Sequence, residues 1–279
     1  MTKNNFKYII SCKFNGKTID EFFKMFYLGK EKINSYIYNN RVLVNGVVVN
    51  NLDSVIYEND VLEIVEEYEP IKLSNRRVKV LYEDKNIIVV NKPRKMLVHP
   101  DGIDNSTLSN AVLHYLNNRR ENIYAYPIHR IDYNTTGIVV FAKDPLTLSY
   151  LSVAVEKHQL EKEYVCLCHG VFSNLKGKIE CKIGKDRHSN KQIVCESGKE
   201  AETYYEVLVK EKYTKLKVLI IHGRKHQIRV HLSSINHPIV GDELYGMNDG
   251  EELKLHFKRI KFTHPFKGTK MEISCEEDF

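Results

Sequence analysis

The chain has 279 residues, of which 42% are hydrophobic and 28% charged, and this composition is typical of a soluble globular protein with a sizeable core. Its 42 basic and 36 acidic residues give a formal net charge of +6, which allows an anionic partner but does not require one. No apolar run approaches the ~20 residues that span a bilayer, and the N-terminus lacks the apolar stretch of a signal peptide. We therefore expect a cytoplasmic protein that has no membrane partner.

Charge is distributed unevenly along the chain. Residues 1–46 contain eight basic and three acidic residues, whereas residues 47–70 contain seven acidic residues and neither Lys nor Arg. A polar, proline-interrupted stretch at 68–77 lies between two strand-like segments and is typical of a linker. We therefore predict a small module at 1–75 and a larger domain at 76–279.

The small module shows clear signals for helices and turns. Thr18 and Glu21 have the spacing of a capping box, and Asn45-Gly46 between two valine-rich runs is the signal of a type I′ hairpin turn. The predicted elements are a strand at Phe6–Ile10, helices from Thr18 to about Gly29 and at Lys30–Tyr38, and strands at Val42–Val44, Val47–Val49 and Val61–Val65.

The chain resembles the S4 RNA-binding module over about residues 16–66. The resemblance rests on two short helices, on the stretch Arg41-x-x-Val-Asn-Gly-x-x-Val that follows them, and on Asn59-Asp60 before a strand. S4 modules hold structured RNA through phosphate and shape contacts. The resemblance implies RNA contacts from Lys30, Lys32 and Arg41. The residues by themselves are equally compatible with a solvated helical hairpin.

The larger domain is predicted to contain many short strands and few helices. Asp144-Pro145 is an N-cap and first-turn pair, and Ile228, Leu232 and Ile235 would form one apolar stripe of a helix. Strands outnumber helices without regular alternation, which favours an α+β fold with a mixed, largely antiparallel sheet. The predicted strands are Val78–Tyr82, Ile87–Val90, Gly137–Lys143, Glu163–Leu167, Lys178–Ile183, Glu202–Lys210 and Lys215–Ile221, and the predicted helices are 106–116, 144–158 and 223–235.

Three polar clusters lie in this domain. His129–Gly137 precedes a buried strand, where Arg130 and Asp132 could face one cleft, although a turn with a surface ion pair explains them as well. Gly223–His231 places five basic or imidazole groups at a predicted helix N-terminus, which favours phosphate, with a solvated basic face as the alternative. Asn91-Lys92-Pro93 ends a strand.

Together, and in this order, the clusters resemble the RluA-type pseudouridine synthases over nearly all of 76–265. Three positions depart from the family's pattern: Lys95 replaces a usual Gly, which would alter that loop, His222 replaces a usual Thr, and Phe257 replaces a usual Ala. The matching stretches are 84–93, the signature His-Arg-Ile-Asp-x-x-Thr-Thr-Gly at 129–137, 162–164, 223–231, 237–242, 255–256 and 264–265.

The resemblance implies a pseudouridine-synthase fold with a central cleft and assigns Asp132 as the catalytic carboxylate. An ionised Asp132 would either attack the sugar or abstract a proton before elimination, and the sequence leaves both routes open. Arg229 would pair with Asp132, and Tyr164 would stack on the target base and could assist removal of its C5 proton. Arg130 would contact RNA and help to fill the space of a flipped nucleotide.

The resemblance also implies RNA contacts from five residues of the second and third clusters, namely Asn91, Lys92, Arg224, His226 and Gln227. The isomerisation is redox-neutral, so we expect no cofactor, and the six cysteines lack metal-ligand spacing, so we expect no metal. The expected partner is structured RNA, with large-subunit ribosomal RNA first and tRNA as the alternative. A non-catalytic, ribosome-associated RNA-binding factor is the alternative class, and we expect a monomer.

Overall fold

The computed structural model describes residues 2–68, 74–101, 106–119, 124–189 and 191–279. Residues 69–73, the middle of the predicted linker, therefore lie outside the described residues. Within the described ranges, no helix is both long enough and apolar enough to cross a membrane.

The N-terminal part is a small sheet covered by two helices. Both predicted signals are confirmed: Thr18 and Glu21 form the reciprocal capping box, and Asn45 and Gly46 both have positive φ, as a type I′ turn requires. The main sheet has the order β1-β6-β3-β4, and β2 pairs with β5. The elements are β1 (Thr2–Ile9), a 3-10 turn (Cys12–Phe14), β2 (Lys17–Thr18), α1 (Ile19–Met25), α2 (Lys30–Tyr38), β3 (Val42–Val44), β4 (Val47–Val48), β5 (Val55–Ile56) and β6 (Val61–Tyr68).

The acidic and basic segments of the N-terminal part lie against each other. Strand β1 is antiparallel to β6 along its whole length, which brings Lys7 within 3.4 Å of Glu63. Lys32 on α2 lies 2.7 Å from Glu66, and the Arg41 guanidinium lies 2.5 Å from Glu67. Such partly exposed pairs are each worth about 0–1 kcal/mol. The two charged segments therefore largely neutralise each other.

The larger domain is built on one mixed, largely antiparallel sheet, as predicted. Its main strand order is β12-β15-β16-β11-β17-β10-β8-β7, with β18 added to β17 and β9 added to β10. The strands are β7 (Lys79–Glu83), β8 (Ile87–Lys92), β9 (Tyr126–Pro127), β10 (Thr136–Ala142), β11 (Glu161–Cys168), β12 (Lys176–Glu180), β13 (Ile183–Lys185), β14 (Gln192–Val194), β15 (Glu202–Lys210), β16 (Thr214–Ile220), β17 (Leu255–Thr263) and β18 (Lys270–Ser274). The helices are α3 (Leu108–Asn118), α4 (Pro145–Glu156) and α5 (Gln227–Ser234).

One helix starts later than predicted. The predicted helix began at Gly223, whereas α5 begins at Gln227, after His226 in the left-handed conformation with φ +57°. A left-handed residue cannot continue a right-handed helix. Arg224, Lys225 and His226 therefore belong to the turn before α5 and not to its first two turns.

Gly137, the last residue of the signature, lies where β10 meets β17. These two strands pair in parallel there, with Thr136 opposite His256 and Gly137 opposite Phe257. A Cβ on residue 137 would lie 2.4 Å from the Phe257 carbonyl oxygen, and its φ of +113° disfavours any L side chain. The glycine therefore allows the backbone of β17 to approach the start of β10.

We expect Gly137→Ala to destabilise the fold by about 3 kcal/mol or more, because overpacking and backbone strain each cost about 1–3 kcal/mol. Gly16→Ala is the matched control, since Gly16 has φ +75° but no atom within 4 Å of an added Cβ, and it should cost only about 1–2 kcal/mol. Denaturant unfolding measures both variants. Equal losses would show that the approach of Phe257 does not constrain residue 137.

The N-terminal part docks on the larger domain at a contact around Asp144. The Tyr8 hydroxyl donates to Asp144 Oδ1 at 3.0 Å, and Asn86 donates to Asp144 Oδ2 at 2.9 Å. The rings of Phe26 and Phe266 meet with centroids 4.5 Å apart. Asp144 follows β10, whereas the signature precedes it, and seven strand residues span about 23 Å. The N-terminal part therefore contacts the end of β10 opposite to the signature.

Candidate active site

A cleft opens where the turn before β10 faces the start of α5. It has an empty volume of about 410 Å³, including its open mouth. Its polar lining comes from the turn at 130–135, strand β11 and the turn that leads into α5. Its lining includes the polar and aromatic side chains of Arg130, Asp132, Thr135, Tyr164, Arg224, His226 and Arg229.

Asp132 and Arg229 meet in this cleft. Arg229 Nη1 donates to Asp132 Oδ2 at 3.4 Å, and the side chain of Asp132 is about one quarter exposed. The carboxylate is therefore accessible from the cleft and already faces a fixed cation. A carboxylate in this position can act as a nucleophile or as a proton acceptor toward a bound substrate.

A second carboxylate holds Arg229 more tightly than Asp132 does. Arg229 Nε and Nη2 donate to the two oxygens of Asp242 at 2.8 Å each, and the Asp242 side chain has no exposed surface. Asp242 also accepts the backbone N–H groups of Leu244 and Tyr245. Burial opposes the charge of Arg229, but the hydrogen bonds and charge of Asp242 outweigh it and raise the pKa of Arg229. Arg229 is therefore a permanent, oriented cation with its third arm directed to Asp132.

His226 is fixed beside the same pair by Tyr245. His226 Nδ1 lies 2.7 Å from the Tyr245 hydroxyl, and its Nε2 lies 3.9 Å from Asp132 Oδ2. Burial lowers the pKa of His226, the charge of Arg229 lowers it further, and Asp132 partly opposes both. The Tyr245 ring also lies under the Arg229 guanidinium, 5.2 Å away. Tyr245 therefore supports two of the groups that surround Asp132.

Tyr164 lines the cleft with a small part of its side chain, which is otherwise buried. Its ring stacks on Phe257 with centroids 4.4 Å apart and an interplanar angle of 13°. Burial, assisted by the charge of Asp132, raises the pKa of Tyr164 well above its ordinary value, so the phenol stays protonated. Phe257, one of the three departures from the family's pattern, thus orients the tyrosine that the resemblance assigned to the target base.

Lys92 was predicted to contact RNA, and the structure shows that prediction to be wrong. Its side chain is fully buried, and Nζ donates to the carbonyl oxygens of Pro93 and Met96 at 2.9 Å and of Tyr133 at 3.0 Å. Burial lowers the pKa of Lys92 to about 7, although the charge of Asp132 opposes that shift. Because Tyr133 directly follows Asp132, this lysine fixes the turn that carries the carboxylate.

We expect Lys92→Met to lower the free energy of unfolding by about 2–4 kcal/mol, because three carbonyl groups lose the hydrogen bond from a fully buried ammonium. Lys95→Met is the matched control: Lys95 is exposed and forms one ion pair with Glu252 at 2.8 Å, so its loss should cost about 0–1 kcal/mol. Thermal unfolding of both variants measures the difference. Equal stability would mean that the three carbonyl contacts do not hold the turn.

Gln227 was also predicted to contact RNA, but it is buried against β15. Its amide donates to the Glu202 carbonyl at 2.9 Å and to the Thr203 hydroxyl at 3.2 Å, while its Oε1 accepts Arg224 N–H at 3.1 Å. His231 lies one turn later and also contacts Thr203, at 2.9 Å. These two residues anchor α5 to the sheet, which is what directs Arg229 into the cleft.

The remaining predicted RNA contacts lie in different parts of the molecule. Arg130 is exposed at the cleft mouth, 3.4 Å from His99 Nε2, and Arg224 lines the cleft while donating to the Glu200 carbonyl at 3.0 Å. Asn91 is half-buried on β8. Lys30 is exposed at the start of α2, in the N-terminal part. Lys32 and Arg41 share that part but are occupied by the ion pairs described above.

Lys95 adopts the backbone conformation that glycine favours. Its φ is +55°, at a cost of about 1–2 kcal/mol for a residue with a side chain. The side chain points to solvent and reaches Glu252. Lys95 therefore keeps the left-handed backbone conformation that the usual glycine would adopt, and it adds an exposed positive charge to the loop.

Two residues of the cleft were not assigned roles from the sequence. Asp242 ends the His-Pro-Ile-Val-Gly-Asp stretch, whose match to the family was recognised, but an acid after a loop glycine gave no sign of its bond to Arg229. Thr135 lies in the signature itself, and its hydroxyl is buried at the cleft without a hydrogen-bond partner among the residues that the structure describes. Thr135 is therefore a donor and acceptor available to a bound molecule.

Comparison with known proteins identifies the class of enzyme that carries this cleft. Residues 86–234 match the family described as RNA pseudouridylate synthase. The ribosomal large subunit pseudouridine synthase D of Haemophilus ducreyi is 32% identical over 267 residues, which cover 87% of this chain and 81% of that protein. An uncharacterised RNA pseudouridine synthase of Bacillus subtilis is 32% identical over 240 residues, covering 81% and 76% respectively.

Solved structures agree on the fold. The human protein RNA pseudouridylate synthase domain containing 1 superposes with a TM-score of 0.62, covering 77% of this chain and 87% of its own, at 22% identity. The chain belongs to the RNA pseudouridylate synthase family. It is an RNA pseudouridine synthase, an isomerase that converts uridine in RNA to pseudouridine.

Proposed function

We propose that Asp132 is the catalytic carboxylate of this enzyme and that its target uridine lies in large-subunit ribosomal RNA. The observation that carries the first part is the Asp132 carboxylate, partly exposed in the cleft and facing Arg229 at 3.4 Å. The second part is supported by the curated relatives named ribosomal large subunit pseudouridine synthase D, which cover most of the chain.

The reaction breaks the N1–C1′ bond of uridine and joins C5 of the same uracil to C1′, without net oxidation. Asp132 would begin it as an anion, by attack on C1′ or by removal of a sugar proton before elimination. Arg229 stays charged throughout, because Asp242 keeps it paired whatever happens to Asp132. Asp132 can therefore form a bond or gain a proton without leaving a buried cation unpaired.

Tyr164 and Thr135 would hold the uracil while it turns. The uracil can contact the part of the Tyr164 ring that lines the cleft, and the Thr135 hydroxyl, which has no partner among the described residues, can hydrogen-bond a uracil oxygen. The protonated phenol of Tyr164 can take the C5 proton only if it passes its own proton on at the same time, for example to the Asp132 carboxylate. The target nucleotide must leave its stack to reach this cleft, and Arg130 at the mouth is placed to contact the RNA that remains.

For the N-terminal part we propose an S4-like RNA-binding role. The order of α1, α2 and the β3–β4 hairpin supports it, as does exposed Lys30 at the start of α2. Because Lys32 and Arg41 already form ion pairs with carboxylates, shape and hydrogen bonds would contribute more to RNA binding by this part than its net charge would. Since this part docks at the end of β10 opposite to the signature, an RNA that contacts both would extend over more than ~20 Å.

Mapping pseudouridines in total RNA tests the target. In a strain that lacks this gene, we expect one or a few positions of large-subunit ribosomal RNA to lose pseudouridine, and a plasmid copy to restore them. A plasmid copy carrying Asp132→Ala should not restore them. Loss confined to tRNA would contradict the ribosomal assignment while leaving the catalytic one intact.

A further inference from the structure

A group of four basic side chains, which we call the His222 cluster, lies beside the catalytic cleft, and one of them, Arg224, also lines the cleft. It consists of His158 after α4, Lys162 on β11, and His222 and Arg224 in the turn between β16 and α5. The rings of His158 and His222 meet edge to face with centroids 4.7 Å apart. Lys162 Nζ donates to the Ile221 carbonyl at 3.1 Å, next to His222.

Burial and neighbouring positive charges lower the pKa values of two members of the His222 cluster. Burial and the charge of Arg224 lower the pKa of Lys162 to about 8. Burial and the charges of His158 and Arg224 lower the pKa of His222, and Glu202 is the carboxylate that opposes this shift. Glu202 is already engaged, since it lies 3.0 Å from Lys178 Nζ and accepts the Tyr204 hydroxyl at 2.9 Å. A bound anion would stabilise basic groups that repel one another in this way.

His222 also has a hydrogen-bonding atom that no protein group uses. Its Nδ1 is buried and lacks a partner among the described residues. Leaving such an atom unsatisfied costs about 1–3 kcal/mol, which a ligand oxygen or water would recover. The four side chains of the His222 cluster can thus donate several hydrogen bonds to one bound group.

A groove lies next to the catalytic cleft, and two members of the His222 cluster, His158 and Lys162, line it. His158, Lys162, Tyr204 and Ile221 line the groove, and Ile220 lines both the groove and the cleft. Arg224 belongs to the cleft lining as well. Because the cleft and the groove share Ile220, the groove is within reach of the nucleotide next to the uridine that enters the cleft.

We propose that the His222 cluster binds a backbone phosphate of a nucleotide adjacent to the target uridine. A phosphodiester supplies the negative charge and the acceptor oxygens that the cluster lacks, through charge-assisted hydrogen bonds. His222 stands where the family usually has Thr, so this contact distinguishes the present chain and would help it to choose among RNA sequences or structures. The inference rests on the RNA substrate of the enzyme but does not depend on which RNA is modified.

Neutral phosphate analogues test the proposal. The substrate is an RNA fragment that carries whichever uridine the mapping experiment identifies, prepared with one methylphosphonate at a time in the linkages that flank it. For the unaltered enzyme we expect one linkage at which the substitution lowers kcat/KM by about 10-fold, on the scale of one charge-assisted contact. With natural RNA, the kcat/KM of His222→Thr should be lower than that of the unaltered enzyme by a similar factor. The methylphosphonate at that linkage should not lower the kcat/KM of this variant any further.

Two further variants separate a local role from a structural one. His158→Asn keeps a residue that tolerates the left-handed φ of +55° at this position, and it should reproduce the behaviour of His222→Thr. His188→Thr, at an exposed position in the loop before β14, should behave as the unaltered enzyme does. Thermal unfolding checks that all three variants are folded.

The proposal is overturned if the methylphosphonate penalty persists unchanged in His222→Thr, or if His222→Thr turns over natural RNA as fast as the unaltered enzyme. Failure of the enzyme itself to modify the natural fragment would be a different result, because it would contradict the assigned substrate and not the phosphate contact.

Discussion

We expect Asp132→Asn to lower kcat for pseudouridine formation by at least ~10⁴-fold while the Kd for RNA changes less than about threefold, on the scale seen when a catalytic nucleophile is removed. Asn has the same shape as Asp but can neither attack C1′ nor accept a proton as a carboxylate. Single-turnover assays measure the rate, and filter binding to the same RNA measures affinity.

The fold should tolerate this change because Arg229 keeps its two bonds to Asp242. Asp53→Asn, at an exposed position of the N-terminal part, is the matched control and should leave both rate and affinity unaltered. Normal turnover by Asp132→Asn, or by Asp132→Ala, would remove Asp132 from its assigned role.

We expect Asp242→Asn to lower the free energy of unfolding by about 3–5 kcal/mol, the usual cost of removing one partner of a buried ion pair. The amide would present N–H groups to the Arg229 guanidinium, which is itself only a donor. The cation would lose its orientation toward Asp132, so kcat should also fall, by about 10²-fold or more. Denaturant unfolding and single-turnover kinetics measure the two effects.

The double variant Arg229→Met, Asp242→Asn separates pairing from general damage. If the cost of Asp242→Asn comes from the uncompensated Arg229 charge, the double variant should be more stable than Asp242→Asn alone, although equally inactive. Additive losses of stability would show that the two side chains are not coupled, contrary to the bidentate geometry.

Much of the fold could be predicted from local sequence signals. Helix α2 was predicted with its observed bounds, Lys30–Tyr38, because Gly29 ends the helix before it, and strand β10 was predicted within one residue at each end from its apolar run. The start of α5 was missed by four residues. The apolar stripe fixes only residues from Ile228 onward, and the left-handed conformation of His226 depends on its contact with Tyr245.

The functional residues divide by whether a recognisable sequence signature indicates the role of each. Asp132 and Arg229 could be predicted because the signature around each marks its position, and the structure brings the pair together. The error at Lys92 has a physical origin. A lysine at the end of a strand resembles an RNA contact in sequence, whereas its burial and its bond to the Tyr133 carbonyl, 41 residues away, emerge only when the loop closes over it.

The arrangement of the charged segments in space also could not be predicted from the sequence, because it depends on how distant strands pair. The basic segment 1–46 and the acidic segment that follows it imply opposite poles in sequence, yet the pairing of β1 with β6 sets them side by side. The excess positive charge that matters for RNA lies instead near the cleft, at Arg130, Arg224 and Lys162. Phosphate contacts and salt sensitivity should therefore concentrate in the larger domain.

Release of tritium from RNA labelled at uridine C5 tests the central claim most directly, because pseudouridine cannot form unless the C5–H bond breaks. The unaltered enzyme should release one tritium for each pseudouridine formed, and Asp132→Asn should bind the same RNA and release none. Stable binding of RNA by the unaltered enzyme without release of tritium would contradict the account and indicate a protein that binds RNA without modifying it.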